Sequence, residues 1–129
     1  MATNNAVTNI AGVLSAITTT IAYTNTSAVS IGTIPANAQI IDINIDTTTA
    51  FDAGTTNTVT VGKTGSAAAF VTATDVGTAG RESVATTGVY SAWATVGTSD
   101  IDATVTYAQT GTAATAGAAR VTIVYKTFA

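Results

Sequence analysis

The chain has 129 residues, a formal net charge of −3, 9% charged residues, and neither Cys nor His. That is the length of one ordinary domain, it excludes disulfides and thiolate or imidazole metal sites, and it removes most reagents of acid–base and nucleophilic catalysis. The four cations, Lys63, Arg81, Arg120 and Lys126, form no run, so no basic footprint for nucleic acid exists, and no stretch approaches the ~20 apolar residues that span a bilayer.

From the N-terminus, Ile10, Val13, Leu14, Ile17 and Ile21 are spaced as one face of a short helix. Gly12 and the β-branched Thr18, Thr19 and Thr20 limit it to about two turns. Residues 1–20 are therefore expected to form an N-terminal arm, and residues 21–129 a β domain. Ile10, Val13, Leu14 and Ile17 are candidate interface residues of that arm. Two placements stay open, against the chain's own core or on a neighbouring subunit.

Beyond residue 20 the pattern is β. Residues 21–24 and 27–31 read as short strands, and residues 33–38 as a turn in which Pro35 presets φ and Asn37 suits a turn position. Residues 39–48 are the clearest strand, with Ile41, Ile43 and Ile45 on one face and Asp42, Asn44 and Asp46 on the other. Such alternation marks one buried and one wet face. Residues 51–54 turn, and residues 56–62 form a strand with Val59 and Val61 inward. Residues 63–66 turn again, and residues 68–73 pair weakly around Phe70.

Residues 75–82 read as a loop, and residues 83–87 and 89–96 as strands, the second carrying Tyr90 and Trp93. Residues 100–109 alternate Ile101, Ala103, Val105 and Tyr107 with Asp100, Asp102, Thr104 and Thr106. After a Gly/Ala/Thr loop, residues 118–128 close the chain. Val121, Ile123 and Tyr125 share one face there; Arg120, Thr122, Val124, Lys126 and Phe128 share the other. Seven to nine short strands separated by turn signals make an all-β, antiparallel β-sandwich or jelly-roll-like domain.

Candidate chemistry is sparse. Gly62-Lys63-Thr64 matches the end of a phosphate-binding loop, but position 57 is Asn where the motif needs Gly, and Gly65-Ser66 breaks the required helix; a hairpin turn explains it better. Asp42, Asp46, Asp52, Asp100 and Asp102 could offer oxygens to Ca²⁺, yet strand alternation does not build a closed cage. No pair among the seven acids stands out as a glycosidase couple. Tyr90, Trp93 and Tyr107 could form a sugar-binding platform, but in so aromatic-poor a chain they are better placed in a core or interface. The expectation is no catalytic residue, no cofactor and no metal. Arg120 and Lys126 are interface candidates that can pair with Asp on a neighbouring strand or across a subunit boundary. Two Lys and one Pro give little protection to sheet edges, so closure or oligomerisation must cover them.

The stretch from Ile34-Pro35-Ala36-Asn37-Ala38 through Ile41-Asp42-Ile43-Asn44-Ile45-Asp46 to Phe51-Asp52-Ala53-Gly54-Thr55, followed by Thr58-Val59-Thr60-Val61-Gly62, resembles small virion proteins of tailed bacteriophages. The closing Ala119-Arg120-Val121-Thr122-Ile123-Val124-Tyr125 also resembles their last strand. The resemblance covers about half the chain and carries no catalytic residues. It implies a capsid decoration or cement protein that bridges and stabilises capsid subunits. The partners it implies are the major capsid protein and further copies of the chain, most simply as a homotrimer, with neither nucleic acid nor membrane. The place it implies is the capsid surface of the virion, after synthesis in the host cytoplasm. A tail, fibre or glycan-binding virion component is the alternative; a pilus or surface-layer subunit would call for an export signal.

Overall fold

The structure, a computed structural model, describes residues 14–82, 84 and 87–127. Ile10 and Val13 lie outside them. Among the described residues eight strands run in chain order: β1 (Leu14–Ala22), β2 (Val29–Ile34), β3 (Gln39–Thr49), β4 (Thr56–Lys63), β5 (Ser66–Asp75), β6 (Gly80–Glu82), β7 (Ile101–Thr110) and β8 (Ala118–Lys126). A single helical turn, α1 (Tyr90–Trp93), lies between β6 and β7.

The strands form two antiparallel sheets, ordered β1-β8-β3-β6 and β2-β7-β4-β5. The pairs β1·β8, β2·β7, β3·β6 and β4·β5 are nested about the β4–β5 hairpin. Four nested antiparallel pairs rolled into two facing sheets are a jelly roll. The all-β expectation therefore holds at the level of the sandwich and of its winding.

Each strand is built from β-branched and small residues, which fit a pleated, half-buried surface. Inward residues of both sheets meet in one core in which Ile21, Ile34, Ile43, Ile45, Val59, Val61, Val105, Val121 and Ile123 are buried, together with Phe51, Val71 and Val76. Gly117 shows how closely a loop must approach that core. A Cβ there would lie 2.4 Å from the Phe51 ring, well inside van der Waals contact, so only glycine fits. Gly62 is similarly constrained: a Cβ would stand 2.1 Å from the Ser66 carbonyl oxygen in the β4–β5 hairpin. The Gly62-Lys63-Thr64 stretch is thus a hairpin, with Lys63 paired to Ser66 and Gly65 at φ 86°. Asn37 takes φ 64° in its turn, the conformation its short polar side chain tolerates.

Several expectations need correction. Helical spacing at residues 14–20 gives way to β1, because Ile17, Thr18, Thr19, Thr20 and Ile21 are a β-branched run whose ladder to β8 is continuous from Leu14 to Ala22. Leu14 and Ile17, neighbours on a helix, lie on opposite faces of this strand. Ile41 is not in the core. The register steps from Ile40 opposite Tyr125 to Asp42 opposite Val124, so Ile41 is the extra residue of a β-bulge. The inward set is Ile40, Ile43 and Ile45, and Ile41 is 44% exposed. Residues 80–82 pair with β3 although a loop is expected, and Tyr90–Trp93 turn as a helix where a strand is expected.

Candidate interaction surface

The outer face of the β1-β8-β3-β6 sheet carries three of the expected interface residues, Leu14, Arg120 and Lys126. Cross-strand register orders it in rows. Leu14, Lys126 and Gln39 form the first; Ala16, Val124 and the bulged Ile41–Asp42 pair the second; Thr18, Thr122 and Asn44 the third; Thr20, Arg120, Asp46 and Arg81 the fourth. Large apolar exposure concentrates in the first two rows, where Leu14 is 58% exposed and Ile41 44%. Ala16 is exposed beside them and Val124 is half-buried. The lower rows are threonine and charge, with Thr18 and Thr122 hydroxyls 3.0 Å apart.

Arg120 reaches Asp46 on the adjacent strand at 3.5 Å. Both side chains are well exposed, so the pair is worth about 0–1 kcal/mol. The expected pairing with a neighbouring Asp is met within the chain. Lys126 shares the Arg120 face but stands three rows away, beside Leu14. Ile17 belongs elsewhere: it points between the sheets, half-buried against the core, where its side chain closes over Gly32 at a distance of 3.1 Å from the Cβ position. The candidates thus divide into a surface group, Leu14, Lys126 and Arg120, and a core group, Ile17.

A cavity of about 370 Å³ adjoins the second row, lined by residues that include Ile41, Asp42, Asn44, Arg81, Tyr90 and Trp93. Among the described residues, β6 pairs with Ile45, Asp46 and Thr47, and backbone bonds near the start of β3 run from Asn37 N to Gly97 O and from Val96 N to Ala38 O. The helical turn α1 forms the far wall. Trp93 is buried there with its Nε1–H donated to the Phe70 carbonyl, and Tyr90 packs edge-on against it, ring centroids 4.7 Å apart. The Tyr90 hydroxyl donates to the Val84 carbonyl, and the residue is half exposed.

The three aromatics do not assemble into a platform. Tyr107 lies in the core against Phe51, centroids 4.6 Å apart. Its hydroxyl donates to Asn57 Oδ1, which also accepts from Ala53 N. Burial, and secondarily the negative charge of Asp52, push the Tyr107 phenol above its ordinary value.

The aspartates tie backbone rather than gather around an ion. Asp52 accepts from Thr115 N, Ala116 N and the Thr115 hydroxyl at 2.7, 3.0 and 2.8 Å, and these bonds hold its carboxyl below the usual value. Asp100 accepts from Ala36 N, Asp102 from the Ser30 hydroxyl, Asp75 from Gly77 N, and Asp42 from Ile43 N. Among the described residues no three acidic side chains converge as a metal site would require. A second cavity, lined by Thr55, Thr56, Asn57, Thr58, Asp75, Gly77 and Thr78, presents hydroxyls and amides with one carboxylate.

One feature of this surface escapes period-2 reading, the exposed Ile41. The doublet Ile40-Ile41 ahead of the Asp42–Asp46 alternation carries its signal, since two consecutive apolar residues cannot both face one core without a phase break.

No protein-family model matches the chain, and no curated protein matches it. Among solved structures, a chain of the cyanophage Pam1 capsid asymmetric unit superposes with a TM-score of 0.68 at 24% identity, over 91% of this chain and 86% of that one. The two chains are thus of nearly the same length and share the fold over most of it.

Proposed function

We propose that this protein is a structural component of a bacteriophage capsid, decorating the shell and stabilising it by bridging neighbouring capsid subunits. The observation that carries the reading is the fold likeness, over 91% of this chain, to a chain of the cyanophage Pam1 capsid asymmetric unit. The sequence resemblance to small virion proteins points the same way. The chemistry of the chain supports a structural rather than a catalytic role: its aspartates are engaged in tying loops, and its aromatics in packing. Its low charge and its apolar end on the β1-β8-β3 face suit burial against other subunits. On this reading the major capsid protein is its partner, the homo-oligomer is a trimer, and Leu14, Lys126 and the residues preceding them, Ile10 and Val13 included, lie at the contacts.

The test is binding to bare shells assembled from the capsid protein encoded with this chain. Sedimentation should carry the protein down with the shells to saturation, and decorated shells should resist heating better than bare ones. Absence of co-sedimentation at micromolar protein would remove the reading.

A further inference from the structure

The second cavity lies where β4 begins and β5 ends, and its volume is about 370 Å³, within the range of small-molecule sites. Thr58 and Asp75, partners across the β4–β5 ladder, stand on its wall. Asp75 Oδ1 is fixed by the Gly77 N–H at 2.8 Å. Asp75 Oδ2 and the hydroxyls of Thr55, Thr58 and Thr78 have no partner among the described residues. Asn57 lies deeper, 8% exposed. Its Oδ1 accepts from Ala53 N and the Tyr107 hydroxyl, and its Nδ2 donates to the Ala53 carbonyl, which fixes the orientation of the amide. A primary amide carries two N–H donors, and the second has no acceptor among the described residues. A buried donor left unmade is costly. Nδ2 stands 3.8 Å from the place a Cβ on Gly77 would take, and Asp75 Oδ1 stands 3.1 Å from it. Gly77 is not at positive φ, so the backbone does not demand glycine there. What its missing side chain does is keep open the space between the carboxylate and the amide.

We propose that this cavity binds a neutral saccharide, with Asp75 Oδ2 accepting from sugar hydroxyls, the spare Asn57 N–H donating to a sugar oxygen, and the threonine hydroxyls doing either. The proposal goes beyond the capsid reading and does not depend on it. The lining decides the class of ligand by elimination. One carboxylate and no cation repel a phosphate or a second carboxylate. A bare cation such as Ca²⁺ takes six to eight oxygens, and here a single carboxylate shares the space with an N–H donor. No aromatic or large aliphatic side chain lines the cavity among the described residues, so an apolar ligand buries little apolar area there. What fits is an uncharged ligand whose groups donate and accept at close spacing, as the adjacent hydroxyls of a sugar ring do. The position in the fold suits such a ligand. β3 runs from Gln39, opposite Lys126, to Thr49, opposite Ala118, and residues 50–55 lead from that end into β4. The cavity is therefore at the end of the sandwich away from Leu14 and Lys126. With those two residues at the shell, it faces outward.

The test is a titration of the isotope-labelled full-length protein, followed by amide NMR. The probes are glucose, galactose, mannose and N-acetylglucosamine with their disaccharides, each taken to millimolar concentration, and Ca²⁺ alone. The expected result is that at least one sugar saturably shifts the Gly77 and Thr78 backbone signals and the Asn57 side-chain amide, and that Ca²⁺ does not. Asp75→Asn keeps an acceptor for the Gly77 N–H and removes the charge; it should weaken binding about tenfold or more. Gly77→Ala, which fills the space without changing any hydrogen-bonding group, should weaken it at least as much. The spectra of both variants report that they fold. Tyr90→Ala, at the other cavity, should leave the affinity unchanged. No saturable shift with any sugar overturns the proposal. So does binding that both Asp75→Asn and Gly77→Ala leave at wild-type strength, binding whose shifts map to Tyr90 and Trp93 instead, or a saturable response of the same signals to Ca²⁺ alone.

Discussion

Replacing Ile41, Ile43 and Asn44 singly by Ala tests the bulge in β3. Ile43 is 1% exposed within the core and Ile41 is 44% exposed, although the two are separated by one residue in a strand. Truncating a fully buried Ile costs about 2–5 kcal/mol, as lost transfer energy plus the cavity left behind. Ile41 is half in solvent and leaves no enclosed void, so its truncation should cost about 1 kcal/mol or less. Asn44 donates to Asp42 Oδ2 at the surface, and its replacement should be within ~0.5 kcal/mol of neutral. For a domain of this size these figures correspond to a drop in Tm of roughly 6–20 °C for Ile43→Ala and of a few degrees at most for the others. Urea unfolding followed by Trp93 fluorescence measures them directly, with an unchanged slope showing that only stability has moved. Equal losses at Ile41 and Ile43, with Ile40→Ala silent, would show that the alternation runs unbroken and that the bulge is absent.

Other expectations follow from the loop ties and the packing. Asp52 has a lowered carboxyl pKa from its bonds to Thr115 and Ala116. Its contribution is therefore present above the unfolded value, near 3.8, and is lost as pH falls through the lower folded value; Asp52→Ala should abolish that acid dependence in melting curves. Tyr107 has a raised pKa, so its contribution is whole below about pH 10 and falls as pH rises from there through the folded value. Tyr107→Phe should remove the alkaline dependence while costing about 1 kcal/mol for the lost bond to Asn57. Gly117→Ala should prevent or severely weaken folding, because Phe51 cannot move without opening the core; a wild-type melting temperature would contradict that packing. EDTA should leave the melting temperature unchanged, and a fall of many degrees would reveal a structural cation.

Much of the fold was legible because period-2 patterns are strong where one face is buried. The inward sets of β4, β7 and β8, namely Val59 and Val61, Val105, and Val121 and Ile123, could be read from alternation alone, and Asn37 and Gly65 marked turns by their backbone freedom. The failures have physical causes. In β1 the spacing of Leu14, Ile17 and Ile21 mimics a helix, and only pairing with β8 decides between the two. In β3 one inserted residue reverses the facing of everything before it. Around Tyr90 and Trp93 a four-residue helical turn sits where aromatic content suggests a strand, held by the Trp93 bond to Phe70, a residue 23 positions away. The surface was harder still. Arg120 was identifiable as a partner for a neighbouring Asp, but the pairing of residues 80–82 with β3 is a tertiary fact that no local pattern encodes. The strand course of residues 14–20 also moves the point at which an arm can be removed: a deletion ending at residue 13 spares the β1–β8 ladder, whereas one ending at residue 17 cuts into it.

The copy number of the chain in purified particles tests the central claim most directly. Quantified against the major capsid protein on a stained gel, a protein that decorates the shell should be present in large number, in fixed proportion to the capsid protein, and should leave the particle with the shell when tails are removed. A few copies per particle, remaining with the tails, would contradict the capsid role and favour a tail or fibre component.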